Sequence, residues 1–207
     1  MRIVLVRHGE TPWNQGGRFQ GQNSVGLSPV GLRQAQEIAH ALNHLDPQAI
    51  YSSPLARAFQ TAEAICQVGP VAVIPMDDLK ELNLGKAEGL TNGTMRAQYP
   101  DIYQGWGKDP SKIRMPGGES LEELQVRAWK TMERIKESHP HGTTVAVSHN
   151  FAIGTIVCRL LDLSLSRFHR IRVDLGSLTT LEHGERGWRL VSLNETLHLR
   201  PETTIES

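Results

Sequence analysis

Short aliphatic runs alternate with amphipathic stretches along this chain, and that alternation constrains its fold more than any other feature. Ile3-Val4-Leu5-Val6 is β-branched and aliphatic with polar residues on either side, which predicts a strand over 2–6 buried on both faces. Ala49-Ile50-Tyr51 and Val71 to Ile74 predict two more strands, and Thr143 to Val147 a fourth. Helical patterns lie between them. Ser28-Pro29 has the form of an N-cap with proline at the first helical position. Leu32, Ala35, Ile38, Leu42 and Leu45 then recur at spacings of three and four. Ser53-Pro54 repeats the signal ahead of Leu55, Ala58, Phe59, Ala62 and Ile65. Ser120 with Glu123 forms a capping box that opens a helix carrying Leu121, Leu124, Ala128, Met132 and Ile135. Residues 151–161 form a largely apolar helix, and two closing strands, 171–182 and 188–194, flank the turn 183–187. A Gly-rich loop covers 16–26, and an irregular segment rich in Gly and Pro covers 82–118. Strands alternating with helices predict an α/β fold of three layers, a mostly parallel sheet with helices on both faces. The expected organisation is one domain over 1–207, with 82–118 as its lid-like segment.

Charge narrows the partners. Lysine plus arginine and aspartate plus glutamate each number 22 among 207 residues, so the formal net charge is zero. Affinity for a nucleic-acid polymer comes from neutralising phosphates, and the basic excess it needs is absent. One small anion remains within reach of local basic residues. Apolar runs fall far short of a membrane span, and Met1-Arg2 leads straight into the first strand with no signal-peptide h-region. The expected location is the cytoplasm. Cys66 and Cys158, far apart in apolar stretches, predict reduced thiols rather than a disulfide.

In open α/β sheets ligands sit beyond the carboxyl ends of the strands. The first strand ends in Arg7-His8-Gly9-Glu10, the second in Ser52-Ser53 with Arg57 on the next helical turn, and the fourth in Ser148-His149-Asn150. Glu81 follows the third after a short turn. Two arginines, two histidines and a carboxylate therefore share one rim. A dianion suits such a rim: at an effective dielectric near 20, a cation about 4 Å away is worth roughly 4 kcal/mol before desolvation. The planar arginine fork can bind two phosphate oxygens at once.

Arg7-His8-Gly9-Glu10-Thr11, with Trp13-Asn14 and Arg18-Phe19-Gln20-Gly21, resembles the histidine phosphatase superfamily, which includes the cofactor-dependent phosphoglycerate mutases. An Arg-His-Gly-Glu match alone arises by chance in roughly one chain in a thousand. Here further matches follow in order: Leu27-Ser28-Pro29-Val30-Gly31, Tyr51-Ser52-Ser53-Pro54-Leu55-Ala56-Arg57-Ala58, Glu81-Leu82-Asn83-Leu84-Gly85, Pro116-Gly117-Gly118-Glu119-Ser120 and Val147-Ser148-His149. Asn194-Glu195-Thr196-Leu197-His198-Leu199 resembles a C-terminal signature of the phosphatase branch. The resemblance implies that His8 takes the phosphoryl group as a phosphohistidine, which requires an unprotonated attacking nitrogen. It implies that Arg7, Arg57 and His149 hold the phosphoryl oxygens, and that Asn14, Gln20 and the Gly21 backbone complete the cradle. It further implies that Glu81 protonates the leaving oxygen and then deprotonates water, with Glu88 as the second candidate. Neither metal nor cofactor is called for. Glu10 is expected to fix the loop and His198 to be structural, while His40, His44, His139, His141, His169 and His183 carry no motif.

The chain departs from the family pattern at Ser24, where aspartate is common, at Ala87, where an aromatic is usual, and at Asn150, where glycine is frequent. These changes bear on pocket shape and substrate. Family mutases carry a longer, basic insertion after the third motif, whereas 86–118 is short, with Met95, Tyr99, Tyr103, Trp106 and Met115 as an open-topped lid. A phosphatase is expected ahead of a mutase. The stretch from Trp106 to Ser120 and the 194–199 tail also resemble metal-independent phosphoserine phosphatases. Leu84 stands where those enzymes can carry a substrate-facing histidine, so phosphoserine joins α-ribazole phosphate, phosphosugars and phosphoglycerates as a candidate. A non-catalytic phosphoprotein-binding domain is the third reading, against which the presence of His8, Glu81 and both arginines argues. The partner implied is a small phosphorylated metabolite, with no nucleic acid, no membrane, and a homodimer as an allowed assembly.

Overall fold

Every side chain from Ile3 to Val6 is buried, because the strand they form lies inside a six-stranded sheet covered by helices on both faces. The structure, a computed structural model, describes residues 1–67 and 71–200. The chain runs β1 (Arg2–Arg7), α1 (Pro12–Gln15), α2 (Pro29–Leu42), β2 (Ala49–Ser52), α3 (Ala56–Cys66) and β3 (Val73–Pro75). It continues through α4 (Asn92–Gln98), α5 (Pro100–Lys108), α6 (Leu121–Ser138), β4 (Thr143–Ser148), α7 (Asn150–Leu160), β5 (Leu178–Gly184) and β6 (Gly187–Glu195). Strand order is β3-β2-β4-β1-β5-β6. The first four strands are mutually parallel, and β5 and β6 add an antiparallel edge.

Alternation along the strands sorts the core into layers. Ile3, Leu5, Tyr51 and Ala146 point to one face and meet Ala128, Met132 and Ile135 of α6 with Ile153, Ile156 and Val157 of α7. Val4, Val6, Ile50, Val145 and Val147 point to the other and meet Ile38, Ala39 and Leu42 of α2 with Ala58, Ala62 and Ile65 of α3. Two of the three expected caps are in place: Ser28 Oγ accepts from the Gly31 N–H at 3.1 Å, and Ser120 and Glu123 close their reciprocal box. Ser53-Pro54 does not cap its helix, because α3 starts two residues later with Leu55 at the N-cap and no side-chain bond there. Among the described residues no helix is long and apolar enough to cross a membrane.

Four further expectations need correction. The segment 82–118 is not irregular throughout, because it contains α4 and α5. Thr91 caps the first and Pro100 opens the second, while Gly93, Gly105 and Gly107 inside them mask the helical pattern. Met95 and Met115 from this segment join Leu82, Leu84, Leu121 and Leu124 in a third cluster below the lid. The strand expected over 171–182 begins only at Leu178. Val173 is buried like a strand residue, but its carbonyl accepts from Arg7 Nη1 at 2.6 Å, and Gly176 turns the chain at φ +69°. The third strand is Val73–Pro75 rather than 71–74, since pairing with β2 begins at Ile50 opposite Val73. Leu32, expected on the buried face of α2, is 51% exposed. There the helix start packs through Gly31, where a Cβ would come within 2.0 Å of the Glu10 carbonyl oxygen.

Candidate active site

Parallel pairing of β1 with β4 sets Arg7 opposite Ser148, so the residues that follow, His8 and His149, leave the sheet side by side. Their rings lie 5.1 Å apart between centroids. From β2 the chain enters α3, whose second residue is Arg57, and its side chain reaches back to the same place. Arg57 Nε donates to His8 Nε2 at 3.2 Å. Its two terminal nitrogens donate to the carbonyls of Gly21 and Asn23, each at 2.8 Å. A guanidinium with three groups so fixed cannot swing away.

His8 and Arg57 line a cavity of about 170 Å³ that also takes in Arg7, Asn14, Arg18, Gln20, Gly21 and Glu81. Of the eight residues expected at the site, seven line this cavity, and His149 stands behind His8 with no exposed surface. Asn14 spends its Oδ1 on the Thr11 backbone N–H at 3.0 Å, in the capping box of α1. Gly21 adopts φ +52°, and a Cβ there would lie 2.3 Å from Glu88 Oε1. Glu88 therefore sits behind the cradle and accepts from the Gln22 N–H at 2.6 Å. Glu10 accepts from Ser28 Oγ at 2.6 Å and Gln15 Nε2 at 2.8 Å, which ties the loop as expected. His198 Nε2 donates to the Gly176 carbonyl oxygen at 3.0 Å, a structural contact.

Among the described residues several buried polar atoms here have no partner: Arg7 Nε, Gln20 Oε1 and both ring nitrogens of His149. An orphaned buried polar group costs about 1–3 kcal/mol, so a cluster of them around one cavity points to a polar ligand. With Arg7 and Arg57 on the wall, that ligand is an anion.

The two titratable groups of greatest interest are pushed in opposite directions. Burial, then the Arg57 and Arg7 charges, hold His8 well below the usual histidine range. Its Nδ1 lies 2.7 Å from the Gly9 carbonyl oxygen. A carbonyl can only accept, so Nδ1 carries the proton and Nε2 presents a lone pair. Burial raises the Glu81 carboxyl above its ordinary value, against hydrogen bonds from Leu82 and Phe151 and the charges of the two arginines. Burial also lowers Arg57 to about 10, which leaves it charged at neutral pH.

The grip on Glu81 comes from a residue with no place in the expected set. Arg127 of α6 donates to the carbonyls of Asp78, Lys80 and Glu81 at 2.7–2.9 Å and pairs with both oxygens of Glu119. Glu119 also accepts from the Asn83 N–H at 2.8 Å. One ion pair thus pins residues 78–83. Its signal lay in the helical pattern: Arg127 falls three residues after Leu124 and one before Ala128, at the border of the buried stripe, where a charge needs partners. Phe151 was missed likewise; its N–H, in the first turn of α7, is 3.2 Å from both Glu81 oxygens. Among the described residues no three His, Cys, Asp or Glu side chains are grouped to hold a metal ion.

Comparison with known proteins agrees with this geometry. The family model described as histidine phosphatase superfamily (branch 1) matches residues 3–196. Phosphoserine phosphatase 1 of Hydrogenobacter thermophilus is 34% identical over 96% of this chain and 94% of its own. Among solved structures, YhfR of Bacillus stearothermophilus superposes with a TM-score of 0.92 at 26% identity, covering 96% of this chain and 99% of that one. A phosphoserine phosphatase of Entamoeba histolytica, in complex with phosphoserine, gives 0.85 at 28% identity and covers 96% and 99%. With the family model spanning residues 3–196, nearly the whole chain, the protein belongs to the histidine phosphatase superfamily.

Proposed function

We propose that this protein hydrolyses phosphate monoesters of small metabolites in two steps through His8. In the first, His8 Nε2 attacks phosphorus, the P–N bond forms, and the ester P–O bond breaks. The leaving oxygen takes its proton from the Glu81 carboxyl. In the second, water attacks the phosphohistidine, Glu81 accepts the water proton, and the P–N bond breaks to release phosphate. Arg7, Arg57 and His149 stabilise charge on the transferring oxygens, and Asn14, Gln20 and Gly21 shape the cradle. A positioned acid–base group such as Glu81 contributes about 10²–10⁴ in rate. Arginine charge serves where other phosphatases use metal, so activity is expected to persist in EDTA.

The observation that carries the reading is the Nδ1 contact of His8 to Gly9, which leaves Nε2 as a fixed, unprotonated nucleophile. The relatives named phosphoserine phosphatase make O-phosphoserine the first ester to test. The proposed unit is one domain over 1–207, with 82–118 governing specificity. We place it in the cytoplasm, with a homodimer as the assembly to check. The decisive experiment is a phosphomonoester panel with EDTA present, together with acid-quench trapping. Wild type is expected to release phosphate and yield an acid-labile phosphoprotein, and His8→Ala to do neither. Substantial turnover in His8→Ala would sink the assignment.

A further inference from the structure

A second cavity, of about 280 Å³, adjoins the phosphate cradle, and the two share Phe19, Leu84 and Phe151 as a common wall. The far side is built by the lid: Met95 of α4 and Ile102 and Trp106 of α5. Among the described residues no acidic or basic side chain lines it, and its polar side-chain groups are those of Asn92 and Tyr103 and the Trp106 indole N–H. Trp106 meets Phe151 edge-on at 5.5 Å, and Phe151 in turn packs against Phe168 at 5.6 Å, so the aromatic wall is braced rather than loose. The same Phe151 donates its backbone N–H to Glu81. The acid that serves the leaving oxygen is thus attached to the wall of this cavity.

We propose that this cavity receives the alcohol portion of the substrate, and that the substrate is the monophosphate of an apolar alcohol, alkyl or aryl. The proposal rests on the phosphatase reading above and names its substrate class. An amino-acid ester would bring an ammonium group, but among the described residues the one carboxylate on either cavity wall is Glu81, which the reaction itself uses. A sugar or glycerate would bring several hydroxyls, and leaving them unpartnered against Met95, Ile102 and Trp106 is costly. The volume is also modest, since small-ligand pockets run upward from roughly 300 Å³. A chain of several carbons or one or two rings suits it.

The test holds the leaving-group chemistry constant by using primary alkyl esters: ethyl, butyl and hexyl phosphate, with O-phosphoserine as the polar comparison. We expect kcat/KM to climb roughly fourfold per methylene, the value of burying one CH₂, and hexyl phosphate to exceed phosphoserine by roughly a hundredfold or more. Ala87, which also lines the cavity, provides the second arm. Ala87→Leu should fill the space and stop the climb before hexyl phosphate, with thermal melting confirming that the variant is folded. A flat or falling series, or phosphoserine ahead of hexyl phosphate, overturns the substrate class and leaves the phosphatase reading standing. A climb that Ala87→Leu does not shorten overturns the location. No phosphate release from any ester overturns both.

Discussion

The phosphate cradle and the lid pocket share a wall and differ in almost everything else. The cradle is assembled from the ends of strands: Arg7 and His8 after β1, Arg57 after β2, His149 after β4. Arg7, His8 and Arg57 are held by backbone carbonyls and by one another. The lid pocket is assembled from side chains of α4 and α5, two short helices that no strand holds, and it offers shape and apolar surface in place of charge. The proposed function places chemistry on strand ends and selectivity on a separable segment. Altering the cradle should therefore change the rate for every ester, while altering the lid should change which ester is preferred.

The sharpest way to break that division is at the residue where the two regions touch. Glu81→Gln is expected to lower kcat by about 10²–10⁴ on alkyl phosphates and much less on aryl phosphates, whose leaving groups scarcely need a proton. The wild-type acid must be protonated, so its rate should fall as pH rises through the raised Glu81 value, and this alkaline limb should vanish in the variant. An equal loss on both ester types would mean that Glu81 only positions the substrate, and would turn attention to Glu88.

Arg127 tests whether the cradle depends on what lies behind it. Arg127→Met frees the carbonyls of Asp78, Lys80 and Glu81, and misplacing a catalytic group by about 1 Å can cost roughly 10²-fold. We expect kcat to fall by about 10- to 100-fold with KM little changed, and the alkaline limb to move. A change in KM alone would place Arg127 outside the positioning of the acid.

The lid provides a smaller contrast. A mutase must hold its acceptor at an effective molarity that can reach 10⁵–10⁸ M, against water at about 55 M. A cap made of two short helices with Gly105 and Gly107 is poorly built for that closure. Given 3-phosphoglycerate and a trace of the bisphosphorylated primer, the protein should release phosphate ahead of 2-phosphoglycerate. Isomer accumulating well ahead of phosphate would replace the phosphatase reading with the mutase one.

The smallest effect concerns stability. His8 and His149 are both held below the usual histidine range by burial and neighbouring arginine charge. As pH falls below about 6.5 the unfolded chain takes up protons that the folded site refuses, so stability declines on the acid side. Each histidine that stays neutral contributes a slope of about 1.4 kcal/mol per pH unit. Melting temperature followed from pH 7 downward should fall less steeply in His8→Asn than in wild type. Parallel curves would contradict the burial argument.

Much of this was legible in the sequence, for reasons that particular residues make plain. Ile3 to Val6 could only be an interior strand, and Ser28-Pro29 and Ser120 with Glu123 marked helix starts that the structure keeps. The strand-end residues were readable because a parallel sheet gathers its carboxyl ends on one edge. What stayed hidden depended on partners distant in sequence. Ile171 and Val173 have a strand's composition, but Arg7 takes the Val173 carbonyl that a ladder would need. Gly93, Gly105 and Gly107 disguised helices that are stabilised by packing over Leu84 and Phe151 rather than by propensity. Asn194 in the C-terminal signature holds a left-handed turn at φ +57° and bonds both the backbone and the carboxylate of Asp174, which bears on the loop beside Arg7. No local pattern announces that role.

The position of β1 between β4 and β5 carries a consequence for how the protein is made. β1 is translated well before either neighbour, and Arg2 meets its β5 partner Glu182 across 180 positions of chain. At about 5–20 residues per second, the Ile3–Val6 segment waits on the order of ten seconds before the sheet can close around it. During that interval an apolar strand that leads directly into His8 is unpaired on both edges. Nascent-chain handling by chaperones therefore bears directly on the yield of active protein, and changes that make β1 stickier should lower soluble expression before they alter the folded state.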